Sequence, residues 1–239
     1  MELSIRRVKA LIKKEIKDFI RNKNVSIICL LPVVYALIAV NAGKLGNVMP
    51  KIDMLNMGLS MNLTLVSTFS ISMLIAEEKE KNTNRTLILS SVSPVEFLLG
   101  KAIWIILFSV ITNIIMYLII GIDIQYIGYY ILWSTLVVLT MVQIGGVIGL
   151  ISHNQMSTGV VGIPVLIVFL IIPLLASLND TLKRIALLLP NYSVQVVLDS
   201  LINGKGYNSF TYNILVILVW ILIAAIVLAY TYNKTGLDK

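Results

Sequence analysis

Six long apolar runs dominate the sequence and constrain the fold more than any other feature. A helix needs about 20 residues to cross the roughly 30 Å hydrocarbon core of a bilayer. A membrane-spanning strand is shorter and alternates apolar with polar residues, and these unbroken runs do not alternate. We therefore predict an all-α membrane protein whose transmembrane domain, residues 25–239, crosses the bilayer six times. The predicted spans cover residues 25–40, 55–76, 102–121, 127–151, 158–178 and 210–232.

The composition leaves little room for a soluble domain. Of the 239 residues, 58% are hydrophobic and 13% are charged, whereas about a quarter of the residues in ordinary soluble domains are charged. These few charged residues could not cover such a large apolar surface in water. We therefore predict that the lipid bilayer surrounds most of the surface. The single cysteine, Cys29, excludes an intramolecular disulfide and a cysteine-based zinc site, and we predict no bound metal.

The positive charges are unevenly distributed around the predicted spans. With six spans, the N-terminal segment, the loop 77–101 and the C-terminal tail share one side of the membrane. They hold fourteen of the 19 Lys and Arg residues, and the opposite loops hold five. Because cytoplasmic loops carry an excess of Lys and Arg, we predict that both termini are cytoplasmic. The net charge of +7 then reflects topology, and no nucleic-acid partner is predicted.

Residues 1–24 precede the first span and form a predicted amphipathic interface helix. Apolar side chains recur there at three- and four-residue spacing, and basic residues fill much of the remaining surface. The apolar positions are Ile5, Val8, Ile12, Ile16, Phe19 and Ile20. Such a helix suits the cytoplasmic interface of a membrane that contains anionic lipid. Either it sets the geometry of the first span and contacts a cytoplasmic partner, or it is an anchor with no further role.

The predicted cytoplasmic loop 77–101 has three parts. It begins with mixed charge, continues through the half-apolar segment 86–91, and ends at Ser93, which with Pro94 and Glu96 forms the capping box of the third span. Leucines exposed to the cytosol are typical of a surface that contacts a partner. The pattern favours a short helix that lies parallel to the membrane and presents an apolar face to another protein.

This loop resembles the intracellular loop of bacterial type-2 ABC transporter permeases. In that family an acidic and basic run is followed by Gly-Thr, a leucine-rich coupling helix and a proline-containing start to the third span. The matching residues are Thr83, Leu87, Leu89, Ser93-Pro94, Glu96 and Gly100-Lys101. Asn82 stands where glycine is usual, and Arg85 stands where glutamate is usual. The number and order of spans also match, and the region from Leu189 to Gly204 resembles the family's short extracellular helical hairpin before the last span.

The resemblance implies a permease subunit of an ABC exporter in the bacterial cytoplasmic membrane. Two permease chains, identical or similar, would form the pathway between them, and each would dock on a separate ATPase subunit through its coupling helix. The residues implied in coupling are Glu78, Glu80, Thr83, Arg85, Leu87 and Leu89. The chain lacks a Gly-x-x-x-x-Gly-Lys-[Ser/Thr] motif. We therefore expect ATP and Mg²⁺ in the partner subunit, no cofactor bound directly, and no catalytic residue in this chain.

Mildly polar residues inside the spans are candidates for the transport pathway. Ser67, Ser70, Asn113 and Gln143 either form hydrogen bonds between helices or line the pathway. No ionisable residue is placed well within a predicted span, which disfavours an ion-coupled carrier. The resulting hypothesis is a hydrophobic or amphipathic cargo, such as an antimicrobial or toxin-like peptide or a drug.

Two other classes of function need comparison with this interpretation. An intramembrane metalloprotease requires several histidines, and His153 is the only one in the sequence. A passive scaffold, a channel subunit or an immunity protein stays open as an alternative. Such a protein would have no ATPase partner and would not need the apolar face at Leu87 and Leu89.

Overall fold

The computed structural model describes residues 4–44, 49–81, 93–202 and 210–235. These residues are helical and contain no strand, which confirms the predicted all-α fold. Six of their helices are long and apolar enough to cross a membrane, the number that the sequence predicts. The loop between the second and third spans lies largely outside the described residues.

The described ranges contain an N-terminal helix, six spans, and a pair of short helices before the last span. In chain order the helices are α1 (Ile5–Arg21), α2 (Lys23–Lys44), α3 (Lys51–Glu80), α4 (Pro94–Ile120), α5 (Ile127–Ile151), α6 (Gln155–Leu175), α7 (Asp180–Ala186), α8 (Pro190–Ile202) and α9 (Phe210–Thr235). The second span begins at Lys51, four positions before its predicted start, and the Lys51 ammonium donates a hydrogen bond to the Gly121 carbonyl at 2.7 Å. A lysine at a helix end can thus extend an apolar span, because its charge stays at the boundary.

The ends of α4 are set by capping residues. Ser93 Oγ accepts a hydrogen bond from the Glu96 N–H at 3.2 Å, and Glu96 Oε2 accepts one from the Ser93 N–H at 2.9 Å. This is the capping box that the sequence predicts. The helix ends at Gly121, whose φ of 71° lies in the left-handed region that suits glycine.

The centre of the bundle is α3. In the most apolar 18-residue stretch of α3, 83% of the residues are buried, whereas in the corresponding stretch of α9 only 11% are buried. It packs against α5 with the two backbones in close approach at Gly145 and Gly149. A Cβ atom added at Gly145 would lie 2.3 Å from the carbonyl oxygen of Thr68. Motion of α3 is therefore coupled sterically to α5.

Both α3 and α6 contain a π-helical stretch, Asn62–Phe69 and Ile167–Ile171 respectively. In α3 the hydroxyls of Ser67 and Thr68 each donate to the carbonyl five residues earlier, at 3.3 and 3.1 Å. In α6 the stretch follows Pro164, which lacks the N–H needed for the regular α-helical ladder. Such wide turns place side chains off the regular helical register.

The region 189–204, which was predicted to form a short helical hairpin before the last span, contains one described helix, α8, and the shorter α7 precedes that region. α7 and α8 are bent by 99° relative to each other. Asn179 caps α7 by accepting a hydrogen bond from the Thr181 N–H at 2.7 Å. The Trp220 indole of α9 donates to the Leu188 carbonyl between α7 and α8 at 2.7 Å, so the pair is attached to the last span.

The N-terminal helix α1 runs beside the first turns of α4. Its buried residues are Val8, Leu11, Glu15 and Phe19. Ile5 and Ile20 are 72% and 70% exposed, so the buried face is rotated from the predicted apolar stripe and includes a carboxylate. The Phe19 and Trp104 rings pack edge to face, with centroids 5.7 Å apart. The N-terminal face is the side of the bundle that holds α1, the last turns of α3 and the first turns of α4. The opposite face is the other side of the bundle.

Candidate functional site

Segment 82–92 contains most of the predicted coupling residues and lies outside the described residues. This applies to Thr83, Arg85, Leu87 and Leu89. The two helix ends that flank the segment are described, and we call them its stems. One stem is the end of α3, which contains Glu78 and Glu80, and the other is the start of α4.

A buried ion cluster joins the two stems. Lys101 of α4 is 1% exposed, and its ammonium donates to Glu78 Oε1 and to Glu15 Oε2, both at 2.8 Å. Glu78 also forms an ion pair with Lys14 of α1. The ion cluster, defined as Lys14, Glu15, Glu78 and Lys101, therefore holds α1, α3 and α4 at one point.

The two ammonium groups of the ion cluster balance its two carboxylates. Asp18, outside the cluster, lies 3.4 Å from the Lys14 ammonium and adds a third carboxylate nearby. The oxygens of Glu15, Asp18 and Glu78 lie within 4.8 Å of one another, and the lysine ammonium groups supply the positive charge that this grouping requires. Burial lowers the pKa of Lys14, but the carboxylates of Glu15 and Glu78 outweigh it and raise this pKa above its ordinary value.

A second polar contact ties the start of α1 to the start of α4. Arg7 Nε donates to both oxygens of the buried Glu96 carboxylate at 3.0 Å, and the Ser4 N–H donates to it at 2.7 Å. The carboxylate that caps α4 thus also holds α1. At the other end of α1, Asn22 Nδ2 donates to Glu77 Oε2 of α3 at 2.6 Å. Both ends of α1 are therefore fixed to the stems.

Glu80 lies in the last turn of α3 and contacts the chain itself. Its carboxylate accepts a hydrogen bond from the Gln155 N–H, at the start of α6, at 3.1 Å. The neighbouring Lys79 donates to backbone carbonyls at the end of α5. The α3 stem is thus tied to the turn between α5 and α6. Glu78 and Glu80, the predicted coupling residues that the structure describes, both make contacts within the chain.

Three of the four predicted pathway residues lie among the helices of this chain. Ser67, Ser70 and Asn113 are fully buried. Asn113 Oδ1 accepts a hydrogen bond from Asn62 Nδ2 at 2.6 Å, and the Ser67 hydroxyl lies 2.8 Å from the hydroxyl of Ser109. These contacts correspond to the first of the two predicted roles, hydrogen bonding between helices.

The fourth predicted pathway residue, Gln143, has different surroundings. It lines an apolar groove of about 440 Å³ between α3, α4, α5 and α9, together with Gly146, Leu228 and Tyr232. Its side-chain oxygen is buried and has no hydrogen-bond partner among the described residues. Gln143 therefore offers a polar acceptor to an otherwise apolar groove.

A comparison with known sequence families identifies the chain. Residues 11–230 match the family described as "ABC-2 family transporter protein". The chain belongs to this family. The match begins within α1 and ends within α9, so it includes all six spans and both stems of this ABC-2 chain. No curated protein matches the sequence. As a member of the ABC-2 family, the chain is a membrane-spanning permease subunit of an ABC transporter.

The ion cluster of this ABC-2 chain was not predicted from its sequence. Glu15 and Lys101 are 86 positions apart, and Glu78 and Lys101 are 23 positions apart, so no local spacing pairs them. One signal was present, because Glu15 follows Val8 and Leu11 at helical spacing and so lies on the inner face of α1. A carboxylate on an apolar face requires a buried partner, and Lys101 is that partner.

Proposed function

We propose that this chain is the membrane-spanning subunit of an ABC exporter and that a separate ATPase subunit drives it by docking on residues 77–101. In this proposal two permease chains, identical or similar, form the pathway between them. ATP and Mg²⁺ bind in the partner subunit. The observation that carries the proposal is the buried ion cluster at the stems of segment 82–92.

The ion cluster gives a docked subunit a firm connection to the bundle. A force on segment 82–92 acts on both stems, and the 2.8 Å ion pair between Lys101 and Glu78 keeps the stems together. Helix α3 transmits such a force inward, because it is the most buried span and contacts α5 backbone to backbone at Gly145. Since α1 shares the cluster, it moves with the stems as one unit.

The charge distribution supports a cytoplasmic N-terminal face. Several basic side chains of α1 are exposed there, namely Arg6, Lys9, Lys13 and Lys17. Positive residues are retained on the cytoplasmic side of a membrane, where ATP is available to a partner. We therefore place both termini in the cytoplasm and the chain in a bacterial cytoplasmic membrane.

The burial of the polar residues supports a pathway between two chains. Ser67, Ser70 and Asn113 are enclosed within one chain, so they do not offer a polar route through it. The outward surfaces of α2, α6 and α9 expose mainly large aliphatic side chains. A hydrophobic or amphipathic cargo is compatible with these surfaces, and we propose export of an antimicrobial or toxin-like peptide or efflux of a drug.

The test is recovery of the tagged chain from its native membrane in mild detergent, followed by mass spectrometry and an assay of Mg²⁺-dependent ATP hydrolysis. We expect a stoichiometric ATPase subunit with the wild-type chain. The variant with Leu87→Asp and Leu89→Asp should lose the subunit, because charges replace the apolar docking face. A matched control with Ile124→Asp and Leu178→Asp places the same charges at exposed positions on the opposite face, and should retain the subunit.

Each result separates the candidate functions. Recovery of the wild-type chain without an ATPase would contradict the proposal and favour the passive scaffold, channel or immunity protein. Retention of the ATPase by the Leu87 and Leu89 variant would show that docking uses another surface. Loss of the subunit from the control as well would mean that the substitutions act through folding.

A further inference from the structure

The apolar groove of about 440 Å³ between α3, α4, α5 and α9 runs inward from the N-terminal face. Its mouth is formed by the first turns of α4, which contain Val95 and Leu98, and by the last turns of α9, which contain Tyr232. Gln143 lines the groove deeper in the bundle. It lies eight residues before the end of α5 at Ile151, a distance of about 12 Å along a helix. The volume falls within the range of roughly 300–1,000 Å³ that small-molecule sites occupy.

Small residues on three helices leave this space open. Ala102 of α4, Gly146 of α5, and Ala225 and Ala229 of α9 all line the groove. Gly146 follows Gln143 by three residues, so the two positions lie on the same side of α5. Most of the remaining lining consists of leucine, isoleucine and valine. The short side chains therefore leave the space beside Gln143 unfilled, and the aliphatic ones form its walls.

The chemistry of the lining favours an uncharged occupant with a hydrogen-bond donor. None of the described residues that line the groove is charged, so an ion would lose its hydration there without gaining an opposite charge. The Gln143 side-chain oxygen is buried and has no hydrogen-bond partner among the described residues. The hydrocarbon core of a bilayer holds no water that could donate to this oxygen. A donor must therefore come from the occupant.

An acyl chain of a membrane lipid does not meet this requirement. It can fill apolar space, but it has no O–H or N–H group and leaves the Gln143 oxygen unpaired. A molecule with an apolar body and a single donor both fills the space and satisfies the oxygen. Because an unmade hydrogen bond to a buried acceptor is unfavourable, the groove discriminates between these two occupants.

We propose that this groove binds small uncharged molecules that combine an apolar body with one hydroxyl or amide N–H donor. The donor bonds to Gln143 Oε1, and the body packs against the aliphatic walls. A molecule of the same shape without the donor binds more weakly, because it leaves the buried acceptor unpaired. This binding goes beyond the proposed docking of an ATPase and is measured on the chain alone. Failure of this proposal therefore leaves the ATPase-docking proposal intact.

The test uses the full chain in phosphatidylcholine nanodiscs and two uncharged probes of matched shape, pyrenemethanol and ethylpyrene, which differ by a hydroxyl in place of a methyl group. Binding is the saturable part of the energy transfer from the tryptophans of the chain to pyrene, because partition into lipid rises linearly with the probe. Affinities are expressed relative to the probe dissolved in the lipid. We expect pyrenemethanol to bind about tenfold more tightly than ethylpyrene.

Two variants test the two parts of the site. Gln143→Leu keeps the approximate size of the side chain but removes the acceptor. It should weaken pyrenemethanol binding about tenfold and leave ethylpyrene binding unchanged. Ala225→Phe fills the groove and should weaken the binding of both probes about tenfold. Its matched control is Ala42→Phe, which makes the same change at an exposed position of α2 outside the groove and should leave both affinities unchanged.

Four results would overturn the proposal. They are the absence of saturable binding, equal affinity of the wild-type chain for the two probes, wild-type affinity for pyrenemethanol in the Gln143→Leu variant, and equal effects of Ala225→Phe and Ala42→Phe. Since Gln143→Leu removes no hydrogen bond to the side-chain oxygen among the described residues, this variant is expected to fold and keeps the test decisive even if Ala225→Phe does not fold.

Discussion

Lys101→Met removes the ammonium group that lies between two buried carboxylates. In the wild-type chain this group is 2.8 Å from Glu15 and 2.8 Å from Glu78, and the Lys101 side chain is 1% exposed. Removing one partner of a buried ion pair costs about 3–5 kcal/mol, because the remaining charge is left uncompensated. Since Lys14 still contacts both carboxylates, we expect a loss of about 3 kcal/mol in the free energy of unfolding.

The measurement is equilibrium unfolding in mixed micelles with increasing sodium dodecyl sulfate. Tryptophan fluorescence follows the unfolding, and Trp104, one of the three tryptophans, contributes a signal from the contact between α1 and α4, where its ring packs on Phe19. Lys81→Met is the matched control, since Lys81 forms an ion pair with Glu77 but its side chain is 62% exposed. Exposed pairs contribute about 0–1 kcal/mol, so this variant should unfold almost as the wild type does.

A second substitution tests whether the lost stability of the Lys101 variant comes from the unbalanced charge. Adding Glu15→Gln to Lys101→Met restores the net charge of the ion cluster and should recover at least half of the lost stability. A double-mutant cycle for two residues in direct contact typically gives about 0.5–3 kcal/mol of coupling. Equal stability of the Lys101→Met and Lys81→Met variants, or a further loss of stability when Glu15→Gln is added to Lys101→Met, would contradict the role of the ion cluster.

Three further predictions use the same unfolding assay. Gly145→Ala should lower the free energy of unfolding by about 2 kcal/mol, because the new Cβ meets the Thr68 backbone. Gly159→Ala, with no atom within 4 Å of its Cβ, should be neutral. Equal effects of the two substitutions would contradict the close packing of α5 on α3. Asn113→Leu should cost about 1–3 kcal/mol, because it removes a buried acceptor of two hydrogen bonds; unchanged stability would argue against a structural role. Gln143→Leu should leave stability unchanged or slightly raised, because it removes a buried oxygen that has no hydrogen-bond partner among the described residues. A loss of about 1 kcal/mol or more would contradict this environment. Loss of transport at full stability would assign Gln143 to the pathway.

The spans were predictable because each is a local property of the sequence. A run of apolar residues is long enough to cross the bilayer whatever lies elsewhere in the chain. The start of α4 was equally local, since Ser93 and Glu96 are close in sequence and form the predicted capping box. The helix α3 begins four residues before the apolar run that predicts the second span, because Lys51, a charged residue at the helix end, donates to the Gly121 carbonyl.

The surroundings of the polar residues were not predictable from local pattern. A serine or asparagine in a span is compatible with a pathway or with a helix contact, and only the packing of α3 against its neighbours encloses Ser67 and Asn113. Likewise, the charged run at the end of α3 is typical of a solvated turn. Burial of Glu78 depends on Lys101 and on a helix from the N-terminus, which are brought together by the fold.

The position of the ion cluster separates the residues that hold this bundle together from those available for recognition. The contacts that join the stems are made before residue 82 and after residue 92. Under the proposed function, substitutions in segment 82–92 would change ATPase recognition without altering these described contacts. In evolutionary terms, if this segment docks the ATPase as proposed, a permease of this design would acquire a new motor by exchanging one short stretch of chain. The same boundary marks where an engineer would splice such a stretch between relatives.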